Sequence, residues 1–85
     1  METRLRELRE DLDLTQKECA EIAYISKNSY IRYENNERIA PLDTIKVFAE
    51  YYNVSIDYIA KITDVKKPYP RIKNKIWHIL NNVLL

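Results

Sequence analysis

The sequence predicts an all-α fold: five short helices followed by a sixth, amphipathic helix near the C-terminal end. Three observations carry this. Glycine is absent from all 85 residues and proline occurs three times, which removes the Asn-Gly and Gly-led turns on which tight β-hairpins depend. Apolar residues recur at helical rather than alternating spacing. Polar capping residues stand immediately ahead of three of these segments, at Thr15, Ser26 and Ser55. Hydrophobic residues make up 46% of the chain and charged residues 32%, a balance that folds, and 85 residues suit one domain.

The first helix is expected over residues 2–11, with Leu5, Leu8 and Leu12 on its inner face. Thr15 and Glu18 have capping-box spacing, so a second helix should start after Thr15 and run to about Ala23. Ser26 opens a third, over about 27–34. Pro41 suits the first position of a fourth, whose inner face carries Ile45, Phe48, Ala49 and Tyr52. Ser55 caps a short fifth, with Asp57 in its first turn. Around these three caps the apolar pairs Leu14–Cys19, Ile25–Tyr30 and Val54–Ile59 have hydrophobic-staple spacing, which fixes the angle of entry into a helix. Residues 64–70, Asp-Val-Lys-Lys-Pro-Tyr-Pro, read as a linker, because each proline biases its predecessor away from helix. Residues 71–83 read as the sixth helix. The organisation is thus a domain over 1–63, a linker over 64–70 and a C-terminal helix within 71–85.

Several functions are excluded by what is missing. With one cysteine (Cys19) and one histidine (His78) there is neither an internal disulfide nor a Cys/His zinc cluster, and no nucleophile–base arrangement can be assembled. No enzyme, cofactor or metal is expected. No apolar run reaches membrane-spanning length and no signal-peptide core follows Met1, so a cytoplasmic protein is expected. The net charge of +1 hides a division. Residues 1–63 hold nine Lys/Arg against twelve Asp/Glu, a net −3, whereas residues 64–85 hold five against one, a net +4.

Two short helices joined through about Tyr24-Ile25-Ser26 have helix-turn-helix spacing. The run from Leu14 to Asn35, LTQKECAEIAYISKNSYIRYEN, resembles the Cro/C1-type (XRE) helix-turn-helix family. That family reads Leu-Thr-Gln, then Glu-x-Ala-Glu, a hydrophobic-Ser step and Arg-Tyr-Glu. Residues 41–59 are similar to its fourth and fifth helices, so the resemblance covers about residues 3–63 and implies a five-helix lambda-repressor-like domain. It further implies a sequence-specific transcriptional regulator, repressor-like, that binds double-stranded DNA as a homodimer. By position the third helix would be the recognition helix, with Lys27, Asn28, Ile31 and Arg32 facing bases. The chemistry agrees: Lys and Arg suit guanine, Asn suits adenine and an apolar side chain suits the thymine methyl. Thr15 and Gln16 match the family's phosphate contacts at the start of the second helix, and Asn35 and Arg38 match those beyond the third. Arg9 and Glu34 match a partly buried structural ion pair. Two positions depart from the family: Asn36 replaces a helix-ending glycine, and Tyr24 replaces a glycine in the turn. Asn tolerates the left-handed conformation, but Tyr24 predicts a longer or differently shaped turn.

Outside the resemblance, Cys19 and the tyrosines read as core and rim packing, and His78 has no second metal ligand nearby. Ile72, Ile76, Ile79 and Val83 repeat at a/d spacing. This stripe either pairs with a second copy or folds back on its own domain. The acidic balance of residues 1–63 keeps an alternative open, a protein-interaction module on the same fold (anti-repressor or antitoxin-like) with little DNA affinity.

Overall fold

The computed structural model describes residues 2–70 and places five helices in the order α1 (Leu5–Asp11), α2 (Gln16–Ile22), α3 (Lys27–Glu34), α4 (Leu42–Tyr52) and α5 (Ile56–Ile59). Among the described residues there is no strand. The expected sixth helix, with Ile72, Ile76, Ile79 and Val83, lies outside the described residues.

The three polar caps form as the sequence spacing requires. Thr15 Oγ1 accepts the Glu18 amide at 3.0 Å while Glu18 Oε1 accepts the Thr15 amide at 3.0 Å, a complete capping box. Ser26 Oγ accepts the Ser29 amide at 3.1 Å, and Ser55 Oγ accepts the Tyr58 amide at 2.9 Å. Cys19, Tyr30, Val54 and Ile59 of the staple pairs are buried, and Leu14 and Ile25 pack against the core from its edge.

That core is built around Tyr30, Phe48, Leu5, Ile59 and Cys19, all fully buried. The Tyr30 ring meets Phe48 edge-on with centroids 5.7 Å apart, and Tyr52 stacks on the other side of Phe48 at 6.0 Å. Tyr52 is half-buried, its hydroxyl 3.4 Å from Cys19 Sγ. Cys19 is therefore an interior residue held between aromatic rings.

Three expectations need correction. The first helix starts at Leu5 rather than residue 2, and the Arg4 amide just ahead of it donates to the Ile59 carbonyl at the end of α5, 2.9 Å away. Leu12 is 54% exposed rather than inward, since α1 stops at Asp11 and the chain reverses before Leu12 completes another turn. Pro41 is the cap of α4 rather than its first residue. Its φ of −60° suits a helix, but its ψ of 152° is extended.

The turn at Tyr24 also departs from expectation, and the departure is general. Among the described residues, five that are not glycine have positive φ: Asp13, Tyr24, Asn36, Asn53 and Lys61, at 55–62°. Each follows one helix, and each helix ends in the same pair of hydrogen bonds. After α2, the Tyr24 amide donates to Glu21 O and the Ile25 amide to Ala20 O, at 3.2 and 3.0 Å. After α3, Asn36 and Glu37 donate to Tyr33 O and Arg32 O; after α5, Lys61 and Ile62 donate to Tyr58 O and Asp57 O. This is the Schellman arrangement, in which a left-handed residue reverses the chain and satisfies the last carbonyls. Tyr24 adopts the conformation usually given to glycine, and the turn keeps its short form.

Residues 60–70 lack regular structure, but their start is fastened to the helical body. Arg4 Nε donates to the Tyr58 carbonyl at 2.9 Å, Arg4 Nη2 pairs with Asp64 at 2.6 Å, and the guanidinium lies 4.3 Å from the centre of the Tyr58 ring. The Ser55 amide donates to the Lys66 carbonyl at 2.9 Å. The first residues after α5 are therefore held to the body as far as Lys66.

Left-handed backbone costs a residue with a Cβ about 1–2 kcal/mol, part of which glycine returns through its freer unfolded chain. Tyr24 is 96% exposed, so its side chain contributes little packing to offset that cost. Tyr24→Gly should stabilise the domain by about 0.5–1 kcal/mol, with Tm rising by about 4–8 °C per kcal/mol in a domain of this size. Thermal unfolding checks this, and an unchanged or lower Tm would mean that the turn carries no strain.

Candidate nucleic-acid interface

The α3 helix divides into two faces. Tyr30, Tyr33 and Glu34 are buried, and Lys27, Asn28 and Arg32 are exposed on the outward arc, with Ile31 half-buried along its edge. Helical periodicity brings Asn35 onto the same arc. The entry to α3 is rigid, because Ser26 Oγ donates to Ser29 Oγ at 2.9 Å while accepting the Ser29 amide. The outward side chains thus project from a backbone fixed at its first turn by Ser26 and at its last by the Asn36 reversal.

What aims this helix is the carboxylate of Glu34, whose side chain is 0% exposed. Arg9, only 17% exposed, grips it with two prongs: Nε to Oε2 at 2.8 Å and Nη2 to Oε1 at 2.9 Å. Arg9 Nη1 also donates to the Leu14 carbonyl at 3.0 Å, tying the α1–α2 loop to the same group. Arg6 Nε adds a contact to Oε1 at 3.1 Å, and Gln16 Nε2 reaches Oε1 at 3.4 Å. One carboxylate from α3 is shared between α1 and the start of α2. Burial works against the ionised form of Glu34, but the contacts to Arg9, supported by Arg6, override it and hold its pKa down to about 2. The same hydrogen bonding to Glu34, against the opposing effect of burial, raises Arg9 beyond its ordinary value. The Tyr30 hydroxyl is buried close to this carboxylate and to the Cys19 thiol without meeting hydrogen-bond geometry to either. Burial first, and then Glu34, keep it protonated.

A cleft of about 590 Å³ opens beside this network, lined by Arg6, Arg9, Glu10, Leu14, Thr15, Gln16, Lys17, Lys27 and Glu34. Four cations and two carboxylates border it, so a region net positive by two stands on a domain that is net acidic. Of the amides at the start of α2, those of Thr15 and Glu18 are consumed by the capping box, and those of Gln16 and Lys17 take no part in it. Glu18 itself stays ionised, its pKa lowered first by the Thr15 amide and then by the Thr15 hydroxyl.

The sequence-derived site residues therefore fall into three groups. Lys27, Asn28, Ile31 and Arg32 share the outer face of α3. Thr15 and Gln16 border the cleft, Thr15 engaged in its cap and Gln16 turned toward Glu34. Asn35 and Arg38 are exposed beyond the end of α3, and Asn35 Oδ1 accepts Arg6 Nη2 at 2.5 Å. Arg6 was missed by the sequence reading although its signal was present: it precedes Arg9 by three positions, which puts both on one face of α1. Among the described residues no group of His, Cys, Asp and Glu could hold a metal ion, and no helix is long and apolar enough to cross a membrane.

An all-helical domain with an α2–turn–α3 corner and an exposed polar face on the second helix is a helix-turn-helix domain. A helix-turn-helix family model matches residues 5–59, and the chain belongs to the XRE-type helix-turn-helix family. It is 42% identical over 72 residues to the uncharacterized HTH-type transcriptional regulator YobD of Bacillus subtilis (strain 168), covering 85% of this chain and 62% of YobD. It is 39% identical over 64 residues to the HTH-type transcriptional regulator ImmR of the same organism, covering 75% of this chain and 50% of ImmR. It is also 35% identical over 54 residues to the cryptic phage CTXphi transcriptional repressor RstR of Vibrio cholerae, covering 64% of this chain and 49% of RstR. The chain spans about half to three fifths of the length of these curated relatives. No solved structure gives a significant match.

Removing one partner from a buried ion pair leaves the other uncompensated, which typically costs about 3–5 kcal/mol. Arg6 is 53% exposed and can turn to solvent, so Glu34→Ala is expected near the low end of that range, read from denaturant unfolding. A loss below half a kcal/mol would show that the network does not hold the fold. The Glu34 contribution is fully present above its ordinary pKa of 4.5 and is lost as pH falls toward about 2. The wild-type Tm should therefore decline across that window, and Glu34→Gln should flatten the decline.

Proposed function

We propose that this chain is the DNA-binding part of a cytoplasmic, repressor-like transcriptional regulator that reads the major groove with α3. The observation that carries the reading is the outer face of α3. Lys27, Asn28 and Arg32 stand exposed along one rigid helix, with the half-buried Ile31 beside them. Long polar side chains matched to guanine and adenine edges, on a helix whose other face is anchored in a core, form a direct-readout surface. The cations around the adjacent cleft supply a place for the phosphate backbone, which positions the helix without carrying sequence information. Thr15, Gln16, Asn35 and Arg38 take that role in this proposal. The names of YobD, ImmR and RstR, each a transcriptional regulator or repressor, support the same reading.

The test is fluorescence anisotropy against duplexes from the chain's own promoter region and against random duplex. Arg32→Ala and Asn28→Ala should each cost roughly 1–3 kcal/mol on the cognate site and relax preference at one or two base pairs. Gln16→Ala should weaken both duplexes about equally. Equal losses on both duplexes for Arg32→Ala would remove Arg32 from the base-reading set. Failure of the wild-type chain to bind any of these duplexes would favour a protein-interaction module.

Operators read by such domains pair two half-sites about 34 Å apart, so the proposal includes a homodimer joined through Ile72, Ile76, Ile79 and Val83. The truncation that tests it should end at Pro70, because residues 64–66 contact Arg4 and Ser55. Sedimentation should find the full chain dimeric and the shortened chain monomeric at tens of micromolar. Two monomers would refute the dimer.

A further inference from the structure

We propose that Arg6 is a positioning residue that orients the Asn35 side-chain amide toward a phosphodiester of the DNA backbone, a role that rests on the DNA-binding reading above. Arg6 bridges two consecutive residues at the end of α3. Its Nε donates to Glu34 Oε1 at 3.1 Å and its Nη2 to Asn35 Oδ1 at 2.5 Å. The Glu34 carboxylate is already gripped on both oxygens by Arg9. The distinctive contribution of Arg6 is therefore the contact to Asn35.

The chemistry of the two groups makes this contact directional. An asparagine amide has an acceptor end and a donor end, whereas a guanidinium only donates. Arg6 can hold only the oxygen of Asn35, so the amide cannot turn over without losing the bond. The Nδ2 group then faces away from Arg6, and it donates to no group among the described residues. A phosphodiester only accepts, so it requires the end that Arg6 leaves free. Asn35 lies on the same arc of α3 as the base-facing residues, one turn beyond Ile31. A backbone phosphate next to a helix lying in the major groove meets that position. Because Arg6 is itself anchored on the buried Glu34, the device ties a surface amide to the network that aims the whole helix. It reduces the ordering that the amide would otherwise undergo on binding.

Arg6→Lys keeps the charge but loses the fork, since one ammonium cannot take the place of the guanidinium in both contacts. Asn35→Ala should weaken binding to cognate and random duplex alike, by roughly five- to twentyfold, the size of one charge-assisted hydrogen bond. Arg6→Lys should reproduce part of that loss in the wild-type background and have no effect in the Asn35→Ala background. The salt slope should be the same for wild type and Arg6→Lys, because no charge is removed. Thermal unfolding confirms that each variant is folded. In the free protein, nuclear magnetic resonance should show the two Asn35 side-chain amide proton signals shifting in Arg6→Lys, a readout independent of DNA. If those signals stay unchanged, Arg6 does not orient Asn35, whatever the DNA result. Equal losses from Arg6→Lys in both backgrounds would show that Arg6 acts on DNA directly. No loss in either would also overturn the proposal. A wild-type chain that binds no duplex would overturn the DNA reading and the phosphate role with it, while the amide signals would still decide the orientation.

Discussion

The buried carboxylate of Glu34 is the constraint on which the arrangement of this domain depends. A charge taken out of water must be met by fixed partners, and here they are three side chains: Arg9 and Arg6 on α1, and Gln16 at the start of α2. Apolar packing can tolerate small slips between helices, but a two-pronged guanidinium contact at 2.8 and 2.9 Å cannot. Glu34 is the last residue of α3, so satisfying it sets the angle of the helix whose opposite face is offered to solvent. A buried ion pair is weak evidence for stability in itself. Its value here lies in register, since the same atoms that close the network also join α1, the following loop and α3.

A second constraint comes from the absence of glycine. Short helices joined by tight corners need residues with positive φ, and this chain supplies them with Asp13, Tyr24, Asn36, Asn53 and Lys61. Three are Asp or Asn, whose short polar side chains tolerate that region, while Tyr24 and Lys61 bear its full steric cost. Each reversal satisfies two carbonyls that the end of a helix would otherwise leave open. The helices that these reversals join pack on one core, in which Tyr30, Phe48 and Ile59 are fully buried. Strain at the corners is thus compensated by burial in the core.

Charge is also distributed by the fold rather than by the sequence. The net −3 of residues 1–63 gives no hint of anion binding, yet Arg6, Arg9, Lys17 and Lys27 gather around one cleft with only Glu10 and Glu34 among them. Glu34 is fully committed to its partners, so it adds little repulsion toward a phosphate. At the other end of the domain, Arg4 fastens the segment after α5 through Tyr58 and Asp64, which gives any following chain a defined point of departure.

Much of this was legible in the sequence because the signals are local. The caps Thr15, Ser26 and Ser55 are read from spacing, as are the staple residues and the inner positions Ile45, Phe48 and Ala49, and all five helices follow from them. The pairing of Arg9 with Glu34 was legible only through resemblance, since 25 residues separate them. What the sequence could not supply depends on distant atoms. Leu12 turns outward because α1 ends early, and Arg4, just ahead of α1, is held by the distant Ile59 carbonyl. Tyr24 takes a glycine's conformation because the reversal there lets the Tyr24 and Ile25 amides satisfy the Glu21 and Ala20 carbonyls at the end of α2. Arg6 acquires its role only when the end of α3 is brought against α1. Spacing along a chain determines which residues share a helix face. Which faces meet, and which polar atoms must then satisfy one another, is decided only when the helices pack.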